Sequence, residues 1–491
     1  MTDTIAPPEH VDVLIVGAGL SGIGAGYHLQ QKCPSKRFVI LEGRDTIGGT
    51  WDLFRYPGVR SDSDMFTLGY SFKPWTEAKA IADGPHILNY VRQTAEENGI
   101  DQKIRFRHRV KRASWSTSDA RWTVEAEHRV GDDVTETVVF TCNFLFMCAG
   151  YYRYEEGYTP EFAGRADFGG TIVHPQKWPE NLDYAGKRVV VIGSGATAVT
   201  LVPEMAKTAG HVTMLQRSPT YVVSRPARDP FADRLRSKLP AALAYQLIRW
   251  RNVFWGMFFF QLSRRRPERV KELILGGVKM ALGADYDVAT HFTPRYNPWD
   301  QRLCLVPDGD LFAAIRDKRA SVVTSEIDAF TAKGIRLKDG GELAADIIVT
   351  ATGLVLQVLG GLEVAVDGRA IDFASELTYK GMMYADVPNL ASALGYTNAS
   401  WTLKCYLTCE YVCRLINHMD RHGFKQCMPH NDDPTIQKLP ALSFSSGYVQ
   451  RSVAKLPKQG TRRPWRLYQN YALDVVSLRF GTVEDGVMRY S

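Results

Sequence analysis

Val11-Asp12-Val13-Leu14-Ile15-Val16, followed at once by Gly17-Ala18-Gly19-Leu20-Ser21-Gly22, is the stretch that decides the fold. The first six residues form a β-branched apolar run, the pattern of a strand buried in a parallel sheet. The next six read Gly-x-Gly-x-x-Gly, and a helical pattern continues through Gln31. A second buried strand, Phe38-Val39-Ile40-Leu41, closes on Glu42. Strand, glycine turn, helix, strand and acid in that order make a dinucleotide-binding unit in its required context. The glycines permit a tight turn and let a pyrophosphate approach the helix N-terminus, where free amides and the helix dipole favour an anion. Glu42 lies 25 residues beyond Gly17, where its carboxylate can accept hydrogen bonds from a ribose diol.

The pattern recurs. Arg188-Val189-Val190-Val191-Ile192 leads into Gly193-Ser194-Gly195-Ala196-Thr197-Ala198 and a helix through Lys207. The second strand, Val212 to Leu215, ends in Gln216-Arg217-Ser218 where the first unit has an acid. An acid would repel a 2′-phosphate, whereas an arginine and a hydroxyl can bind it, so the expected second cofactor is NADPH. Two units in this order suggest FAD on the first and NADPH on the second. Each is followed by an apolar strand ending in small residues, Phe144 to Gly150 and Ile347 to Gly353, whose glycines let the chain cross close to a cofactor. The expected fold is therefore α/β, with two Rossmann-like dinucleotide-binding domains and a helical insertion. Residues 1–150 and 385–491 would form a discontinuous FAD domain. Residues 151–384 would form the NADPH domain, with the insertion at about 228–290.

At 491 residues the chain has room for about three domain-sized units. With 45% hydrophobic and 23% charged residues, collagen, extended disorder and a polytopic membrane protein are excluded. The net charge of +7 suits an anionic cofactor, and without a dense basic run no nucleic-acid partner is expected. Eight cysteines are too few for a disulfide framework, and no CxxC pair marks a zinc or redox site, so no metal is expected. Cys405, Cys409 and Cys413 repeat every four residues and read as the packed face of a helix. Met1 to His10 has neither a basic start nor a cleavage region, so no signal peptide is expected and the cytoplasm is the simplest compartment. Within the insertion, Val253 to Phe260 is strongly apolar and Arg264-Arg265-Arg266 follows. The run is far short of the roughly 20 residues that span a bilayer. It reads first as a buried helix lining a substrate cavity, with peripheral membrane contact as the alternative. Oligomeric state leaves no trace in the sequence.

Two further segments carry a resemblance. Phe168 to Pro179 fits FxGxxxHxxxWP at every fixed position, and Gly48 to Asp62 fits GGxWxxxxYPGxxxD. With the two glycine units they make the chain similar to the flavoprotein monooxygenases of the Baeyer–Villiger type, from residue 11 to about 400. GGTWDLFRYPG, YNPWDQRLCLVP and GYTNASW further resemble the ethionamide-activating group of that family.

The resemblance implies roles at matching positions. Gly17, Gly19, Ser21, Gly22, Glu42, the Thr50-Trp51-Asp52-Leu53 loop, Asp62 and the main chain of Val110 would hold FAD. Arg60 and Ser61 would border the nicotinamide, and Gly193, Ser194, Gly195, Ala196, Thr197, Ala198 and Val199 would hold its pyrophosphate. Gln216 and Arg217 would meet the 2′-phosphate, although Gln301 stands where many relatives have an assisting lysine. Arg302 falls at the family's active-site arginine, with Asp62 to orient it. Oxygen insertion at a carbonyl develops negative charge, and guanidinium is the one cation that cannot neutralise itself. His174 and Trp178 read as fixing the domain joint rather than moving protons. A helix starting near Asn398-Ala399-Ser400 would direct its N-terminus at the flavin.

The expected activity is FAD-, NADPH- and O2-dependent conversion of ketones to esters or lactones, together with oxidation of sulfides or thioamides. The alternatives are an N- or S-oxygenating flavin monooxygenase and an NADPH oxidase without carbonyl insertion. A flavin disulfide reductase would need a cysteine pair against the flavin, and residues 42–62 contain none. A non-catalytic nucleotide-binding or membrane-scaffold protein would not need Asp62 and Arg302.

Overall fold

The computed structural model describes residues 8–132, 134–442 and 444–491. The reading of Met1 to His10 as lacking a signal peptide lies, through residue 7, outside the described residues.

Strand β1 (Glu9–Val16), helix α1 (Leu20–Lys32) and strand β2 (Phe38–Leu41) form the first unit, with β1 and β2 parallel and Val13 beside Phe38. All four residues of β2 are buried, as its unbroken apolar run demands. Strand β3 (Ile104–Arg105) extends the parallel ladder beyond β2. A meander of β4 (His108–Ser116), β5 (Arg121–Arg129) and β6 (Thr135–Met147) follows. β5 alternates, burying Trp122, Val124 and Ala126 and exposing Arg121 and Thr123, because only one of its faces meets the core. β6 is long enough to serve two ladders. Its first half pairs antiparallel with β5, and from Phe140 to Met147 it runs parallel to β1.

The second unit is a sheet of five parallel strands. They are β7 (Thr171–Val173), β8 (Arg188–Ile192), β9 (His211–Gln216), β10 (Ala320–Thr324) and β11 (Ile347–Thr350), in the order β10-β9-β8-β11-β7. Helix α2 (Ala196–Met205) follows β8 as α1 follows β1. Between β9 and β10 the chain forms the expected helical insertion, dominated by α3 (Ala241–Arg265) and α4 (Pro267–Leu282).

The chain then returns to the first sheet. Strand β12 (Glu363–Val366) pairs with β4, β13 (Arg369–Ala370) pairs with β12, and β14 (Leu390–Ser392) pairs with β6. These strands begin the return at Glu363, ahead of the residue 385 expected from the sequence. Helix α5 (Trp401–His422) packs on α1 through a Lys32–Glu410 ion pair of 2.8 Å and a 2.8 Å bond from Asn417 to the Lys32 carbonyl. Cys405, Cys409 and Cys413 are buried on α5, as their spacing requires, and all eight cysteines are free.

His28 sits on α1 with 1% exposure, edge-on to Tyr406, and neither ring nitrogen has a hydrogen-bond partner. Burial pushes its pKa down to about 4, and Lys32 acts in the same direction. The unfolded chain therefore binds this proton better than the folded one. The stability gained from a neutral His28 is complete above pH 6.5 and is lost as the pH falls toward 4, by about 3 kcal/mol. Urea unfolding of His28→Phe should show a shallower loss of stability over that window than the parent; equal slopes would mean that His28 is protonated in the folded protein.

Candidate functional site

Both glycine turns open into one cavity of about 1520 Å³. A site for one drug-sized ligand is roughly 300–1,000 Å³, so this cavity has room for two elongated molecules. The turns are built by the same device. A Cβ on Gly17, at φ +103°, would stand 2.6 Å from the Cys148 carbonyl oxygen at the end of β6. A Cβ on Gly193, at φ +136°, would stand 2.4 Å from the Ala351 carbonyl oxygen just past β11. No L side chain fits either place, so each small-residue strand end and its glycine turn close on one another. Gly19 faces Gly49, where a Cβ would meet only backbone, the Gly49 Cα at 3.5 Å and its nitrogen at 3.8 Å, leaving a flat backbone floor. Glu42 is buried at the end of β2 and accepts hydrogen bonds from the Ala18 amide at 2.7 Å and the Arg44 amide at 2.9 Å. Burial raises its pKa, opposed by those two amides.

Most of the residues expected at the site line this cavity. They are Gly17, Gly19, Ser21, Glu42, Thr50, Trp51, Arg60, Ser61, Asp62, Val110, Gly193, Ser194, Gly195, Ala196, Thr197, Arg217 and Arg302. Six others do not. A Cβ on Gly22 would lie 1.8 Å from the Gly17 carbonyl oxygen, so this glycine serves the packing of α1 on its own turn. Asp52 is 2% exposed and turned into a cluster of Arg44, Arg55 and Arg92. Leu53 ends the same short helix, and Ala198 and Val199 are buried on α2. Gln216 is also buried, its amide donating to the His291 carbonyl at 2.8 Å and Thr324 Oγ1 at 2.9 Å, so it cannot reach a phosphate. Arg217 remains on the cavity wall with Ser218 and Glu326.

Arg302 leads toward the strand Cys304–Pro307, and Asp62 comes from the loop of the first unit. The Arg302 Nε donates to Asp62 Oδ2 at 2.8 Å, its Nη2 lies 2.8 Å from the same oxygen, and its Nη1 donates to the Thr397 carbonyl at 2.8 Å. Burial pulls the guanidinium toward neutrality. The Asp62 charge and the hydroxyls of Tyr151, Tyr448 and Tyr152 outweigh it and hold the pKa above the ordinary arginine value. Arg60, also on the wall, is paired with Asp310, whereas Arg295 is exposed and lies outside the cavity. His174 does not line the cavity either; its ring packs against Gly157 and accepts a hydrogen bond from the Gln176 amide at 3.1 Å.

Sequence reasoning missed the aromatic wall. Tyr151 and Tyr152 are hydrogen-bonded to each other, and burial raises both their pKa values. Trp401 stacks on Tyr151 with ring centres 4.7 Å apart and donates to Ser21 Oγ at 2.9 Å. The position of Tyr151 and Tyr152 directly after Gly150 could have flagged them. Tyr448 comes from the C-terminal region and carries no local signal.

The insertion also differs from expectation. Among the described residues, none between 221 and 300 lines the cavity. Phe254, Trp255 and Phe258 of α3 are each 57% exposed, so this helix does not bury its apolar run around a substrate.

Comparison with known proteins agrees with this architecture. Residues 68–250 match the flavin-binding monooxygenase-like family, and residues 15–82 match an NAD(P)-binding Rossmann-like domain. The chain is 54% identical over 484 residues to the FAD-containing monooxygenase EthA of Mycobacterium tuberculosis, covering 98% of each protein. It is 48% identical to the probable FAD-binding monooxygenase AlmA of an Acinetobacter species, covering 98% of this chain and 96% of that one. Its fold is that of cyclohexanone monooxygenase from Rhodococcus sp. Phi1, solved bound to NADP+, with a TM-score of 0.76, 21% identity and 99% of both chains covered.

Proposed function

The chain belongs to the family of FAD-containing monooxygenases that includes EthA, and on that basis we propose that it binds FAD and NADPH and inserts one oxygen atom of O2 into ketones, giving esters or lactones. Sulfides and thioamides would be oxidised at the same site. The observation that carries this reading is the Arg302 guanidinium, anchored by Asp62 and Thr397 where both glycine turns open into one cavity.

The residues present fit the two cofactors. The turn at Gly17, the flat floor at Gly19 and Gly49, and the Glu42 carboxylate suit the pyrophosphate and ribose of FAD. A Cβ on Gly195 would meet nothing within 4 Å, and α2 starts at the next residue, which suits the pyrophosphate of NADPH. Arg217 would take the 2′-phosphate. Bound FAD, once reduced, supplies the activation of dioxygen. Arg302 supplies a positive charge that no working pH removes, and Asp62 fixes the plane of its fork, leaving further N–H groups for the cavity. Negative charge on the substrate's carbonyl oxygen during insertion would be stabilised there. The Tyr151, Tyr152 and Tyr448 hydroxyls have raised pKa values from burial, stay protonated and can donate.

A second proposal concerns α3, which is apolar on both faces: Ala244, Tyr245, Ile248 and Val253 are buried in the core. Arg249 points inward at 4% exposure and donates to the carbonyls of Phe66 at 2.7 Å and Gly69 at 2.8 Å. Leu243, Leu247, Phe254 and Phe258, spaced four and seven residues apart, form an exposed stripe on the opposite side. Residues 228–290 hold twelve Lys and Arg against six Asp and Glu, so they carry six of the chain's seven net positive charges. Among the described residues no helix is long and apolar enough to cross a membrane. An apolar stripe in a basic surround suits the interface of an anionic bilayer, and we infer that this face rests on one.

Three measurements test these readings. Arg302→Ala should keep its FAD but lose at least about a hundredfold in ester formation, the scale of a lost oxyanion contact. Arg302→Lys should recover little, and NADPH oxidation should persist as hydrogen peroxide release. Near-parental ester formation by Arg302→Ala would move the role to Arg60. Arg217→Ala should raise the KM for NADPH about ten- to a hundredfold and barely change that for NADH; equal effects would show that it does not read the 2′-phosphate. In flotation assays the protein should rise with phosphatidylglycerol vesicles and much less with phosphatidylcholine. The triple variant Phe254→Ser, Trp255→Ser, Phe258→Ser should stay behind while converting a small ketone normally. No flotation, with a parental self-association that the triple variant lacks, would instead make this face a contact between copies of the chain.

A further inference from the structure

The C-terminal end of α5, about five turns from the Trp401 that lines the cavity, carries a second group of chemically capable side chains. His418 and His422 are one turn apart, so both rings project from the same helix face. Glu484, from the segment after the last helical turn, comes up beside them with Oε1 3.2 Å from His418 Nε2. One ligand atom from each of the three residues lies within 4.8 Å of the other two. His418 is 5% exposed, yet its Nε2 makes no well-formed hydrogen bond. A buried imidazole nitrogen whose near neighbour is a poorly aligned carboxylate oxygen costs free energy unless something else satisfies it. His422 and Glu484 are exposed, which leaves an approach from solvent.

Two imidazole nitrogens and one carboxylate form the donor set of a three-ligand zinc site, with water as the fourth ligand. Nitrogen donors disfavour calcium and magnesium, which take oxygen ligands. We propose that His418, His422 and Glu484 bind one divalent transition-metal ion, of which Zn²⁺ is the type, at a site separate from the cavity. No local spacing marks it, because Glu484 is 62 residues beyond His422. Cys427 and His430, whose CxxH spacing also looks like a ligand pair, are not one. Cys427 is fully buried, and His430 is engaged by Asp386 and Asp432.

The ion would act on the C-terminal segment. That segment is already held at its far end, where Met488–Tyr490 pairs with Cys427–Pro429. Next to Glu484, Asp485 accepts a hydrogen bond from the Tyr379 hydroxyl at 2.6 Å and lies 3.0 Å from the Lys380 ammonium; Asp485 and Lys380 both line the cavity. A metal bridging Glu484 to α5 would fasten this piece of cavity wall to the helix beneath it.

The test uses untagged FAD-loaded protein freed of metal with a chelator, titrated calorimetrically with Zn²⁺. One ion per chain should bind. His422→Ala removes an exposed ligand without opening the core and should weaken binding at least about tenfold, and Glu484→Gln should weaken it less. At a Zn²⁺ concentration that just saturates the parent, the ion should raise the Tm of the parent clearly and that of His422→Ala much less. Absence of Zn²⁺ binding by the parent, or equal affinity and equal thermal response in His422→Ala, would overturn the proposal.

Discussion

A guanidinium that must stay charged, stay placed and yet face a cavity needs one carboxylate and one carbonyl, and the Arg302 pair with Asp62 and Thr397 meets that requirement. Its partners come from far apart. Asp62 follows the glycine pair of the first unit, Arg302 precedes a strand beside the second, and Thr397 lies just before α5. The contact can form only if both sheets, the loop after Gly49 and the returning chain are all in place. Fold and candidate site are thus the same problem, and a single charge at the junction records whether it has been solved.

The two sheets reach this junction by equivalent means. In each, a glycine with positive φ lies under the carbonyl of the strand that ends beside it, Gly17 under Cys148 and Gly193 under Ala351. The repetition puts the N-termini of α1 and α2 on one cavity, where their free amides favour anionic groups. Beside the Arg302–Asp62 pair the wall is largely aromatic. Tyr151, Tyr152 and Tyr448 lie close enough to act on the guanidinium, and Trp401 stacks on Tyr151.

Much of this was legible in the sequence because the decisive signals are local. The glycine turns, the buried strands β1, β2 and β8, and the four-residue spacing of the α5 cysteines each depend on neighbouring residues alone. Side-chain direction is not local. Asp52 and Gln216 occupy motif positions, but Asp52 turns toward three arginines and Gln216 toward His291 and Thr324, partners the motif does not contain. The apolar run of α3 differs from its expected place for the same reason. Composition shows that a face is apolar, and only the packing of Arg249 against the Phe66 and Gly69 carbonyls shows which face points inward. The short strand β12 returns the chain to the first sheet at Glu363, and four residues are too few to carry a distinguishable pattern.

The central claim is that this cavity transfers one oxygen atom from dioxygen to a carbonyl compound while NADPH is consumed. Incubation of the FAD-loaded protein with NADPH, a small cyclic ketone and ¹⁸O-labelled dioxygen, followed by mass spectrometry of the product, tests it most directly. The account predicts a lactone carrying one labelled oxygen, formed in step with NADPH loss. NADPH consumption that yields labelled hydrogen peroxide and leaves the ketone untouched would contradict it.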